Sequence, residues 1–183
     1  SDEVRDDLRW VLEGKGTATV KYDGSCCAII DGVFYRRYDA KGGKPIPDGA
    51  ILCQNEPDSV TGHMPCWVKV DFENPSDKWF CSALRNCGQS LPDGTYEAIG
   101  KHFQGNPYKL SNDILVRHGE HIVEVERTFE GIREWLKNNN AEGLVFWKNN
   151  VPECKIKRKD FGIKWPAPDK VPSIIQSDYI KFG

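Results

Sequence analysis

The chain has 183 residues, 39% of them hydrophobic, six tryptophans and a formal net charge of −2. This length and apolar content suit one ordinary folded domain with a real core and exclude a disordered chain. The nearly balanced charge excludes a global basic field, so a polyanion would have to be met by a local patch.

Residues 4–13, with Trp10, Val11 and Leu12 among charged neighbours, predict a short helix or a strand ending at Gly14. Next, Ala18, Val20 and Tyr22 alternate with Thr17, Thr19, Lys21 and Asp23, which predicts a strand. Lys21-Tyr22-Asp23-Gly24 therefore sets a lysine and a carboxylate on one face where the strand reaches a glycine. Asp31-Gly32 between two apolar runs predicts a two-residue hairpin. Its return strand, residues 33–38, sends Arg36 and Arg37 to opposite faces. Residues 39–62 read as loop with a short strand at 51–54, and Lys41-Gly42-Gly43-Lys44 lacks the spacing of a phosphate-binding loop. A strand at 67–70 and a short helix at 77–86 follow.

Pro92-Asp93-Gly94 feeds a strand over 95–100 in which Glu97 stands among apolar residues. Such a glutamate has a polar partner, lines a cavity or faces solvent at an edge. Residues 113–117 predict another strand. Phe129, Ile132, Trp135 and Leu136 fall on one helical face behind Thr128 as cap. Glu142 then opens an apolar strand at 141–147, Asn149-Asn150 predicts a hairpin, and the return strand at 153–159 shows Lys155, Lys157 and Lys159 on one face with Ile156 on the other. Five of the ten residues 155–164 are basic, the local patch available to a polyanion. Residues 165–172 read as an extended connector. The eleven residues after it are too few for a second domain. The expected organisation is one domain over 1–166 and an extension over 167–183.

No apolar run reaches membrane-spanning length, and the acidic start is not a secretory signal. The seven cysteines are odd in number and include no C-x-x-C, which suits reduced thiols in a cytoplasmic compartment. Buried small hydrophobes are the default for them, and a zinc site from Cys66, Cys81, Cys87 and a histidine is the poorly spaced alternative.

A lysine beside an aspartate, paired arginines, two strand-borne glutamates and a lysine-rich strand are suitable contents for a nucleoside triphosphate pocket. Lysines hold phosphates, a carboxylate holds Mg²⁺ through oxygen, and an arginine reaches the ribose. A lysine that attacks phosphorus must first lose its proton, and an unperturbed one, with pKa about 10.4, is neutral in fewer than roughly one molecule in a thousand at pH 7. Nearby cations favour the neutral amine, and they also stabilise phosphoryl oxygens and leaving pyrophosphate.

These residues resemble the ordered motifs of the covalent nucleotidyltransferases, the polynucleotide ligases and mRNA capping enzymes. Lys21-Tyr22-Asp23-Gly24, Tyr96-Glu97-Ala98-Ile99-Gly100, Glu142-Gly143-Leu144-Val145-Phe146 and Lys155-Ile156-Lys157 match motifs I, III, IV and V in order. The chain is most similar to the small ATP-dependent 5′–3′ RNA ligases, through Lys21–Cys27, Tyr38-Asp39-Ala40-Lys41, Val60-Thr61-Gly62-His63 and Gln104-Gly105-Asn106-Pro107-Tyr108, over about Trp10 to Pro166. The resemblance implies an α+β core of two mainly antiparallel sheets flanked by helices, with the nucleotide between them.

It further implies that Lys21 forms a lysyl-AMP and that Glu97, with Arg37 rather than Arg36, contacts the ribose. Glu142 would position Mg²⁺ or Mn²⁺, and Lys155 and Lys157 would contact the phosphates of ATP. Phe146, His118 and Phe103 are candidates to stack on the adenine, and Glu56 or His63 could lie near metal or RNA. The partner is RNA with 5′-phosphate and 3′-hydroxyl ends, the protein a monomer. A capping-type guanylyltransferase and a non-catalytic nucleic-acid-binding module are the alternatives.

Overall fold

The computed structural model describes residues 3–175. It has nine described strands: β1 (Thr17–Lys21), β2 (Ser25–Ile30), β3 (Val33–Ala40), β4 (Ile51–Leu52), β5 (Met64–Lys69), β6 (Gly94–Ile99), β7 (Ile114–Arg117), β8 (Gly143–Lys148) and β9 (Val151–Lys157). Three described α-helices accompany them, α1 (Arg9–Leu12), α2 (Lys78–Asn86) and α3 (Phe129–Asn138). The strands make a three-stranded sheet, β1-β8-β9, and a six-stranded sheet, β4-β5-β3-β2-β6-β7. This is the expected α+β class with antiparallel sheets. Two units divide the chain, residues 3–23 with 117–175 and residues 24–116.

In the first unit, β1 runs antiparallel to β8 with Lys21 opposite Gly143, and β8 runs antiparallel to β9 with Gly143 opposite Lys157. On the other side of β1, His121 and Val123 add backbone hydrogen bonds to Val20 and Ala18. Ala18, Leu144 and Phe146 point to the apolar face of this sheet, where they pack with Trp10, Val11, Ile132 and Leu136. Thus residues 4–13 contribute a helix, because Trp10 and Val11 are buried from one short turn. Helix α3 begins where expected: the Thr128 hydroxyl accepts the Gly131 N–H at 2.9 Å, and Ile132 and Leu136 face the core.

The second unit starts with the β2–β3 hairpin. Asp31 and Gly32 both take positive φ, 51° and 76°, as a primed two-residue turn demands. The Asp93 carboxylate accepts both turn amides, at 2.7 and 3.0 Å. Cys27, Ile29, Phe34, Tyr96 and Ala98 form the sheet's share of a core closed by Cys81, Ala83 and Cys87 on and after α2.

One expectation changes. The return strand runs over Val151–Lys157, with a bulge at Phe146/Trp147, and stops before Lys159. Residues Arg158–Phe161 instead form a 3₁₀ turn whose Asp160 carboxylate accepts the Lys157 N–H at 2.8 Å. The common face therefore includes Lys155 and Lys157, while Lys159 sits on the turn. Within the described part of the expected extension, Pro172 accepts the Asn140 N–H at its carbonyl at 3.1 Å and Ile175 is buried. The rest of the expected extension, 176–183, lies outside the described residues.

Gly143 shows how tightly the β8–β9 pair closes: a Cβ there would meet the Ile156 carbonyl oxygen at 2.2 Å. Backbone, not a flexible side chain, blocks the space. Gly143→Ala is expected to destabilise the protein by about 1–3 kcal/mol, measured as a lower urea midpoint at unchanged slope.

Candidate active site

Antiparallel partners directly opposite each other present their side chains on one face. Lys21, Gly143 and Lys157 therefore share a face of the three-stranded sheet, and the next step along it is Thr19, Val145 and Lys155. Glu142, one residue before β8, turns its carboxylate onto this face and accepts a hydrogen bond from Lys21 Nζ at 2.6 Å. The pair is mostly enclosed, with 24% and 19% of the two side chains exposed. Lys157 is the other cation beside it. Burial first, then the hydrogen bond and charge of Lys159 and the charge of Lys21, push its ammonium below the ordinary lysine range. The Glu142 carboxylate thus stands among lysines. The lysines suit a polyanion, and the Glu142 oxygens suit a hard cation that takes one carboxylate together with phosphate oxygens and water.

On the second unit, Cys26 of β2 lies directly opposite Glu97 of β6. Burial, reinforced by the Glu97 charge, pushes the Cys26 thiol up to about 12, while Arg37 acts in the opposite direction. Glu97 also accepts the Gly24 N–H at 3.1 Å. A separate close approach explains the glycine of Lys21-Tyr22-Asp23-Gly24: a Cβ at Gly24 would meet the Ala98 carbonyl oxygen at 2.1 Å. The two arginines separate as strand parity requires. Arg36 lies opposite core residue Cys27 and donates to the buried Asp77 carboxylate at 2.9 Å. Arg37 lies beside the Trp67 ring, 5.8 Å from its centroid, and donates to Asp39 at 3.1 Å. Arg36 is thus a structural group, and Arg37 is the one left on the face of Cys26 and Glu97.

Phe146 requires a correction. It is 1% exposed, on the face opposite Lys21, and the Arg127 guanidinium lies 5.0 Å from its ring centroid. Strand parity alone puts it there, since Lys21 shares its face with Val145. Phe103 is likewise buried, in the core of the second unit. His118 remains: it lines a hollow of about 510 Å³ with Thr17, Thr19, Arg117 and Trp147, all in the first unit. Trp147 donates its indole N–H to the Thr19 hydroxyl at 2.8 Å, fixing the ring on the Lys21 face. A larger hollow of about 650 Å³ beside Glu3, Arg9 and Glu13 contains none of the site residues.

The basic run also divides. Arg158 is 1% exposed and donates to the carbonyls of Leu136, Asn139, Ala141 and Lys164. Sequence reasoning counted it as surface charge, although the parity that grouped Lys155 with Lys157 already placed residue 158 with Ile156. His63 and Glu56 stay in the exposed 53–63 loop, where the His63 backbone bonds to Asp58 and Thr61. All seven cysteines are free, and Cys66, Cys81 and Cys87 are buried as small apolar groups. No helix among the described residues is long and apolar enough to cross a membrane.

Comparison with known proteins joins these observations. A family model of RNA ligase 1 matches residues 84–182, more than half of the chain, including Glu97, Glu142, Lys155 and Lys157. RNA ligase 1 of Danio rerio is 27% identical over 168 residues, and that of Rattus norvegicus 27% over 171, each alignment covering 73% of this chain and 48% of the relative. RNA ligase 1 of Pongo abelii is 24% identical over 164 residues, covering 69% of the chain and 46% of the relative. The chain spans about half the length of the curated relatives it matches. On the strength of this match, the chain belongs to the RNA ligase 1 family.

Proposed function

We propose that this chain carries the nucleotidyl-transfer chemistry of an ATP-dependent RNA ligase, joining RNA 5′-phosphate and 3′-hydroxyl ends. The observation that supports this reading most is the Lys21–Glu142 pair at 2.6 Å, on the sheet face that also carries Lys157. The name RNA ligase 1 borne by its relatives supports the substrate class.

Lys21 is the nucleophile. An ammonium resting on a carboxylate has no free lone pair, so attack requires that Lys21 leave Glu142 and give up a proton. Its Nζ then bonds the α-phosphorus of ATP as the bond to pyrophosphate breaks, leaving a lysyl-AMP. Lys155 and Lys157 bind the phosphate oxygens and neutralise the charge that develops on the departing pyrophosphate. Glu142 would hold Mg²⁺ or Mn²⁺, which supplies positive charge against the phosphate oxygens. In the second step an RNA 5′-phosphate oxygen bonds the AMP phosphorus and Lys21 returns as an amine. In the third, the RNA 3′-hydroxyl bonds the 5′-phosphorus and AMP leaves. His118 is the stacking candidate for the adenine, and Glu97 with Arg37 takes the ribose role. Seven free thiols suit a reducing, cytoplasmic setting.

Intact mass after incubation with Mg²⁺ tests the reading. ATP should add one AMP and GTP nothing, and Lys21→Ala should abolish the adduct. A GMP-sized increase would assign capping chemistry instead, and no adduct from folded, initially unmodified protein would leave a binding module. Lys155→Ala and Lys157→Ala should each slow adduct formation by about 100-fold or more, on the scale of a removed transition-state donor.

Lys157 also gives a titration. Removing a neighbouring positive charge favours the protonated form, so Lys159→Gln should raise the Lys157 midpoint towards the ordinary lysine value. Bound ATP should raise it as well, because phosphate charge acts in the same direction. Side-chain NMR of Lys157 against pH measures both shifts, and a downward shift in either case would contradict the charge arrangement.

A further inference from the structure

One short segment of the first unit touches the supports of Lys21 on two sides. At its start, Arg158 donates its backbone N–H to the Glu142 carbonyl at 2.9 Å, and its Nε to the Ala141 carbonyl at 3.0 Å. The peptide that carries Glu142 is thereby held from both ends. The same guanidinium reaches Leu136 and Asn139 at 2.6 and 3.0 Å, at the C-terminal end of α3, and Lys164 at 2.8 Å. Terminal carbonyls of a helix lack intrahelical partners and carry its negative end, which accounts for a guanidinium buried among carbonyl oxygens. At the far end of the segment, Trp165 donates its indole N–H to the Asp23 carboxylate at 2.8 Å. Its ring centroid lies 5.8 Å from the Arg158 guanidinium carbon, so the two residues are neighbours.

Asp23 follows Lys21 by two residues, and Glu142 bonds its ammonium. Arg158 and Trp165 reach Lys21 through these two acids. We propose that Arg158 and Trp165 are positioning residues for Lys21 adenylation: Arg158 fixes the backbone of Glu142 and Trp165 fixes the carboxylate of Asp23. This rests on the function proposed above. Misplacement of reacting groups by about 1 Å can cost about 100-fold in rate, and the planar fork of an arginine is not replaced by the single ammonium of a lysine.

The test is single-turnover formation of the AMP adduct by the full chain, stripped beforehand with pyrophosphate. Trp165→Phe keeps the ring and loses the N–H; Arg158→Lys keeps the charge and loses the fork. The rate constant at saturating ATP, the half-saturating ATP concentration and the final labelled fraction are read separately, alongside the melting temperature. Positioning predicts a rate constant lowered about tenfold in Trp165→Phe and up to about 100-fold in Arg158→Lys. Half-saturation should stay within about twofold of the parent, and labelling should reach the parent's final fraction. A purely structural role would lower the melting temperature or the labelled fraction and leave the rate constant of the folded protein at the parent value, which would overturn the proposal. Should Arg158→Lys not fold, Trp165→Phe decides alone. A parent protein that never forms the adduct overturns the proposed function and this inference with it, whereas a labelled parent with parent-like variants overturns this inference only.

Discussion

The register of two antiparallel ladders is the constraint from which the chemistry of the first unit follows. Lys21 sits opposite Gly143, and Gly143 opposite Lys157, so three consecutive strands bring a lysine, a gap and another lysine onto one face. The gap is essential, because the Ile156 carbonyl occupies the place of any side chain at 143. A shift of one residue would turn Lys21 into the apolar layer of Trp10, Ile132 and Leu136 and bring Ala18 or Val20 out. Burial of that layer therefore holds the lysine in place from beneath. Glu142 completes the arrangement because it stands one residue before the strand, where the backbone is no longer bound by strict alternation.

The electrostatics follow from the same placement. Lys157 stands close to Lys159 and Lys21, and desolvation makes that crowding more costly for its protonated form. Lys157 shows this as a proton held less tightly than usual. Phosphate charge would offset such a surplus under the function proposed above. Arg158 resolves a different problem: it stands in the same basic run but faces inwards, where four carbonyl oxygens accept its hydrogen bonds.

Much of this could be read from residue order because local chemistry decided it. The Asp31-Gly32 turn, the Thr128 cap and the alternation around Lys21 depend on neighbours within a few positions, and the structure reproduces them. The resemblance alone preferred Arg37 to Arg36; the residue order gave no reason, which the structure supplies for residue 36, on the face of Cys27 and bonded to Asp77, 41 positions away. Phe146 failed as a stacking candidate although strand parity with Lys21 and Val145 was already available. Lys159 left the strand because Asp160 caps a turn there, and the run of lysines gave no sign of it. The contact of Trp165 with Asp23 spans 142 positions and has no local signature. Long-range hydrogen bonds of this kind are where sequence patterns end, since nothing in the periodicity of either segment names the other.

Under the proposed function Lys21, and not a neighbouring lysine, carries the nucleotide. Peptide mapping of the acid-labile adduct formed with ATP tests it most directly, because three lysines compete on one face. AMP is expected on the peptide containing Lys21 alone, released by acid as a phosphorus–nitrogen bond should be. AMP on Lys155 or Lys157, or an acid-stable adduct on a hydroxyl, would contradict it.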